Sequence, residues 1–385
     1  MGSLRIKKIA IIIHSICGGG AERTAQTIGN YYLDKGLDVY YFLLSKTNRM
    51  AYAIRGRIVK LDITDCCESW SELVHLAMIL RKAKKEYGID VSLSFMEEAN
   101  FLNVMSRVHD KIVVSVHTTL SKRYDLQGFY YDKSNIRRAY RRADYIVAVS
   151  EYVKDDLISN YHIKEKKIKV IPNPAMSHSQ KVDEEWRYGE KAIITVGRLE
   201  PVKQHDRLIR TFSYVKDRCP ESNLVIVGEG RLKRYLEKVC RDYKVEESVY
   251  FVGFTNAPEF YEKNARVFVM TSYVEGFPNA IVEAMMQGTP VITTDSPGGC
   301  GEIVGKEKSL NIIQYCEYGI LTPYIEGRIK KHEFFTLEEK LLGEAIVSVL
   351  ENEEIYKHYT YKSRLRAEQY SLSNIMNDWN VVLLS

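Results

Sequence analysis

Strand-like and helix-like patterns alternate along this chain in two successive series, which restricts it to parallel sheets flanked by helices. In the first series, residues 9–14, 38–44, 91–95, 111–116, 145–149 and 168–171 read as short buried strands rich in β-branched and aromatic residues, while 21–32, 69–85 and 136–142 read as helices. Pro172-Asn173-Pro174 and the polar residues 177–189 then read as a linker. The second series continues with strands at 192–196, 224–227, 249–252 and 265–270, helices at 206–216 and 232–243, and a helical tail from 334 onward. A chain of 385 residues exceeds what one core usually organises. The expected fold class is therefore α/β, with two Rossmann-like domains and a cleft between them.

Composition narrows the class further. With 45% hydrophobic and 27% charged residues the chain is of the soluble globular type, and no run approaches the roughly 18 apolar residues of a membrane span. Residues 6–16 imitate a signal peptide, but His14 interrupts the apolar run and glycines follow it, so a buried first strand is expected. Seven cysteines, Cys17, Cys66, Cys67, Cys219, Cys240, Cys300 and Cys316, form no metal-ligand spacing. Their odd number points to reduced thiols and a cytoplasmic location, with Cys17 as a small buried apolar residue.

Three stretches carry residues suited to phosphate and sugar. Glu275-Gly276-Phe277-Pro278-Asn279-Ala280-Ile281-Val282-Glu283 joins a strand to a helix. Gly276 frees the turn, Pro278 pre-sets the helix entry, Asn279 is a candidate cap, and a helix N-terminus offers amides to an anion. Carboxylates there would repel phosphate but accept hydroxyls, so the ligand implied carries both phosphate and sugar. Gly18-Gly19-Gly20-Ala21-Glu22-Arg23 follows the first strand, where three glycines allow close approach to the main chain. It lacks the spacing of the dinucleotide fingerprint. Gly197-Arg198-Leu199-Glu200-Pro201-Val202-Lys203 places two cations after the first strand of the second series. His117 ends the strand 111–116, and His14 ends the first strand.

Together these motifs resemble the retaining GT-B glycosyltransferases of family 4, and the likeness runs the length of the chain. It implies a nucleotide-sugar-dependent, metal-independent hexosyltransferase without a cofactor. Residues 1–172 would form the acceptor domain and 190–370 the donor domain, with 371–385 a helix crossing back to the first. By the resemblance, Arg198 and Lys203 grip the donor diphosphate, Glu275 contacts the donor sugar, and Glu283 holds the ribose. His117 would hydrogen-bond the donor sugar and assist the reaction. Gly19 and Gly20 would face donor phosphate and acceptor, Gly253 and Phe254 the base, and Gly197, Gly276, Phe277, Pro278 and Asn279 the remaining donor contacts. UDP is the nucleotide expected from family frequency. A sugar-nucleotide epimerase shares the fold but would need further acid and base residues, and a non-catalytic nucleotide-sugar binder would be expected to lack Arg198, Lys203 or Glu275.

Charge is uneven. Residues 1–172 hold 28 Lys and Arg against 19 Asp and Glu. Lys122-Arg123, Phe129-Tyr130-Tyr131, Arg137-Arg138 and Arg141-Arg142 interleave cations with aromatics, which suits an anionic membrane surface. No nucleic-acid-binding motif accompanies them. The expectation is a polyprenyl-linked or otherwise membrane-bound glycan acceptor, met by a protein peripheral to the inner face of the membrane.

Overall fold

The structure, a computed structural model, describes residues 6–16, 18–45, 54–61, 69–176, 185–308, 311–326 and 335–385. Cys17, Cys66, Cys67 and most of the expected linker lie outside the described residues. The chain forms two compact units, Met1–Pro174 with Ser373–Ser385, and Ala175–Leu372.

In the first unit, strands β1 (Lys8–Ile13), β2 (Asp38–Leu43), β3 (Arg57–Lys60), β4 (Val91–Phe95), β5 (Lys111–Val116), β6 (Tyr145–Ala148) and β7 (Ile168–Val170) pair in parallel. Their order is β3-β2-β1-β4-β5-β6-β7, so the winding reverses between β1 and β4. Helices α1 (Gly20–Asp34), α2 (Trp70–Tyr87), α3 (Glu97–Met105), α4 (Lys133–Tyr140) and α5 (Glu151–Tyr161) connect them. The strands are buried on both faces because helices cover both, as in other parallel sheets, and the buried polar groups among them are small serines. Beneath α2, the fully buried Lys84 donates to Asp110 Oδ2 at 2.9 Å and to Asn103 Oδ1 at 2.7 Å, tying that helix to α3 and the sheet.

In the second unit, β8 (Ala192–Val196), β9 (Asn223–Val227), β10 (Val249–Gly253), β11 (Val267–Met270), β12 (Val291–Thr294), β13 (Gln314–Tyr315) and β14 (Ile320–Thr322) take the order β10-β9-β8-β11-β12-β14-β13. All pairings are parallel except β13 with β14, a short antiparallel edge that the residue pattern does not mark. The helices are α6 (His205–Lys216), α7 (Lys233–Asp242), α8 (Pro258–Asn264), α9 (Asn279–Gln287), α10 (Cys300–Val304), α11 (Leu337–Glu351) and α12 (Glu353–Gln369). Thr336 caps α11 in a capping box with Glu339. The same Glu339, wholly buried, pairs with Arg207 at 3.0 Å and Arg210 at 3.3 Å, locking α11 onto α6. Cys219, Cys240 and Cys300 are buried, and desolvation pushes each thiol up to about 12 and away from reactivity, helped at Cys219 by the Glu351 carboxylate to which it donates at 3.2 Å.

The last helix, α13 (Leu372–Leu383), lies from Ser373 onward with the first unit. Trp379 is buried, Tyr32 donates its hydroxyl to Asn380 Oδ1 at 3.2 Å, and Lys111 Nζ donates to the Val382 carbonyl at 3.1 Å. Among the described residues, no helix is long and apolar enough to cross a membrane.

Candidate functional site

Open α/β sheets bind ligands outside the carboxyl ends of the strands where the winding reverses. In the second unit that point lies between β8 and β11. Residues 197–203 leave β8 and residues 271–279 leave β11, so two of the three sequence motifs converge there.

Lys203 ends a short 3-10 turn, Pro201–Lys203, and its ammonium donates to Glu275 Oε1 at 2.6 Å. Both side chains are mostly buried, at 20% and 13% exposure, so the pair is far less screened than a surface one. Thr271 donates its hydroxyl to the Gln204 carbonyl at 3.1 Å and Tyr273 its amide to the Val202 carbonyl at 2.7 Å, which fixes the two loops to each other. A third loop completes the frame. The Glu275 amide donates to the Pro297 carbonyl, and the Gly299 amide to the Gly276 carbonyl, both at 2.9 Å. Gly298 makes this possible, because its φ of +127° disfavours other residues and a Cβ would stand 2.2 Å from the Glu275 carbonyl oxygen. Asp295 and Lys306 form a further pair at 2.7 Å beside this loop.

Arg198 is exposed on the same loop as Lys203, and Gly197 donates its amide to the Val227 carbonyl at 2.9 Å. Glu283 lies in α9, partly buried, about one turn beyond its start. Gly253 ends β10 with φ +88° and accepts at its carbonyl from the Gly228 amide at 2.8 Å, leaving the Phe254 ring 62% exposed. His205, which the motif reading passes over, is buried beside Lys203. Burial and the neighbouring ammonium push its pKa down to about 4, so it is neutral.

Two expectations need correction. Asn279 does not cap α9: it is the first helical residue, and Pro278 holds the cap position with no side-chain bond. The Phe277 ring is buried edge-on against Tyr370, centroids 5.2 Å apart. The amides of Gly18 and Gly19 are not open to an anion, since both donate to Glu22 Oε2, at 2.5 and 2.9 Å. An anion at the Gly18 and Gly19 amides must first displace a carboxylate of like charge.

In the first unit, His117 follows β5 and receives or gives a hydrogen bond with Ser115 Oγ at 2.9 Å. Its ring lies 5.3 Å from that of Phe95. Burial lowers its pKa, which keeps the imidazole neutral near pH 7. His14 bonds Glu98 Oε2 through Nδ1 at 2.8 Å. The neighbouring Glu97 has no exposed surface, and no hydrogen-bond partner for either carboxylate oxygen among the described residues. Burial raises its pKa to about 7, against a smaller opposing pull from Arg123.

Glu97 makes stability depend on pH. Its folded pKa lies above its unfolded value of 4.5, so the unfolded state loses this proton first as pH rises. Stability falls from about pH 4.5 to about pH 7 and stays reduced above that. Glu97→Gln should therefore melt a few degrees above the parent at pH 8, the gap closing toward pH 5 in differential scanning calorimetry.

Two successive Rossmann-like units in one chain are the architecture of the GT-B proteins. Residues 18–175 match the Glycosyltransferase Family 4 model and residues 177–317 the model for Glycosyl transferases group 1, and the chain is a glycosyltransferase built of those two domains. A Campylobacter jejuni relative is 28% identical over 97% of this chain and 98% of its own length. It is the N-acetylgalactosamine-N,N'-diacetylbacillosaminyl-diphospho-undecaprenol 4-alpha-N-acetylgalactosaminyltransferase. The fold is shared with sucrose-phosphate synthase of Thermosynechococcus elongatus, at TM-score 0.77 and 18% identity, covering 98% of each chain. It is shared also with Anabaena HepE bound to UDP, at TM-score 0.76 and 19% identity, covering 98% of this chain and 99% of that one.

Proposed function

We propose that the protein transfers a hexose or N-acetylhexosamine from a UDP-sugar to a lipid-linked glycan with retention of anomeric configuration. The observation that carries this reading is the Lys203–Glu275 pair at the reversal point of the second unit. Lys203 and exposed Arg198 face the diphosphate, Glu275 takes hydroxyls of the donor sugar, Glu283 takes the ribose, and Phe254 stacks on the base. The bond from the anomeric carbon to the diphosphate oxygen breaks while the acceptor oxygen bonds that carbon on the same face. The acceptor proton passes to the leaving phosphate, so no separate base is needed. Charge that builds on the leaving group is met by Lys203 and Arg198, which is where their contribution is largest. His117, neutral, supplies a hydrogen bond to the donor sugar. The acceptor class is supported by the undecaprenyl-diphosphate substrates named for two Campylobacter relatives, 28% and 23% identical over 97% of this chain.

Thermal denaturation with a panel of nucleotides tests the donor. UDP at 100 times its Kd should stabilise the fold by about 2.7 kcal/mol. A larger shift with GDP would overturn the choice of base, and no shift with any nucleotide would overturn the donor site.

The first unit is the part proposed to meet the membrane. Arg137, Arg138, Arg141 and Arg142 are exposed around the end of α4 and support this. Phe129 and Tyr130 do not contribute as the sequence suggests, because their rings pack on Phe101 at 5.9 and 5.4 Å. Arg123 is likewise held by Asp125 through two bonds of 2.7 Å. Binding to anionic vesicles should thus be electrostatic: lost at high salt and on changing these four exposed arginines to glutamate, by co-sedimentation. Retention at high salt would point to apolar insertion instead.

A further inference from the structure

We infer that Glu98, held by His14, is the subsite that receives a hydroxyl of the acceptor sugar, an assignment that rests on the transferase reading above. In the first unit the winding reverses between β1 and β4; His14 leaves β1 and Glu98 opens the helix that leaves β4. Their 2.8 Å contact therefore spans the reversal point of its sheet, as the Lys203–Glu275 contact does in the second unit. A carboxylate there, partly open at 18% exposure, is shaped to accept a hydroxyl hydrogen. The imidazole bonded to it fixes which oxygen remains available.

A second observation points to a ligand at the same place. Glu97, adjacent in the first turn of α3, is fully buried with both oxygens unpartnered among the described residues. Two successive acidic residues are delivered to this edge by Met96, whose φ of +72° is unfavourable for a residue with a side chain. Such strain is not needed to start a helix. Glu97 and Glu98 also act on one phenol: after burial, which is the main cause, both carboxylates push the pKa of Tyr131 upward. Burial raises the Glu97 pKa to about 7, which lessens its repulsion of the neighbouring carboxylate. Arg123 stands near enough to Glu97 for their charges to interact. The ligand class is a neutral polyol, because an anionic acceptor group would face like charge here.

The test uses the full chain, with methyl N-acetyl-α-D-galactosaminide and methyl α-D-glucoside as probes and saturation-transfer NMR in the presence of UDP. The signal from at least one glycoside should fall fivefold or more in Glu98→Gln and in His14→Leu. His14→Asn, which keeps an amide donor near the Nδ1 position, should restore it. The rise in melting temperature caused by UDP should be the same in all four proteins. If UDP stabilises the wild type but the glycoside signal is absent, or is unchanged in Glu98→Gln, this inference fails while the transferase reading stands. If UDP has no effect yet the glycoside signal depends on Glu98, the donor assignment fails and the polyol subsite stands.

Discussion

Lys84→Met should lower the stability of the protein by roughly 3–5 kcal/mol, because it strands a buried carboxylate. Lys84 and Asp110 have no exposed side-chain surface. Desolvation pulls the Lys84 pKa down to about 8, whereas Asp110, despite the opposing effect of burial, is held below its ordinary range by Lys84 and Ser92. Near pH 7 both are therefore charged, and removing the ammonium leaves Asp110 with Ser92 Oγ at 2.5 Å and the Val108 amide at 2.9 Å. Those two donors do not replace a cation in a medium of low dielectric. The double variant Lys84→Met, Asp110→Asn should regain much of the loss, since no charge remains to be buried. Chemical denaturation of the parent, the single and the double variants checks this. A single variant within 1 kcal/mol of the parent would mean that Asp110 is hydrated or protonated instead.

The sheets were the most legible part of the chain. Strands such as Val91–Phe95 and Ala192–Val196 are short, almost wholly buried runs whose few polar residues are small, and their limits coincide with the residue pattern. Helix α3 is different. Seven of its nine residues are buried, so it shows no polar face from which a period could be read, and its start depends on the left-handed Met96 rather than on a capping side chain. That is why Glu97 and Glu98 do not stand out in the sequence. The Gly18-Gly19 loop is the opposite case, since its glycines are plain to see but the use of their amides depends on where Glu22 turns. Contacts across the sheet are the least legible: Lys203 meets Glu275 from 72 residues away and His14 meets Glu98 from 84. Only the strand order brings them together, and the pattern of apolar residues does not encode that order directly.

Lys203→Ala should lower kcat/KM for transfer by ~10²- to 10³-fold, the range for losing one charge partner of a transition state. In the resting protein the Lys203 ammonium is bound to Glu275 at 2.6 Å, so a donor diphosphate competes with a carboxylate for it. That competition weakens ground-state binding but not the transition state to the same degree, because the leaving diphosphate gains charge as the glycosidic bond breaks. Most of the loss should accordingly appear in kcat, with the Kd for UDP rising much less. Glu275→Gln should separate the two roles. It frees Lys203, so UDP should bind as well as or better than to the parent, yet transfer should fall because the amide replaces a carboxylate facing sugar hydroxyls. Steady-state kinetics with calorimetric UDP titrations on the parent and both variants measures these quantities. Equal loss of UDP affinity and kcat/KM in Lys203→Ala would make it a ground-state anchor only. Unchanged kinetics would remove it from the site.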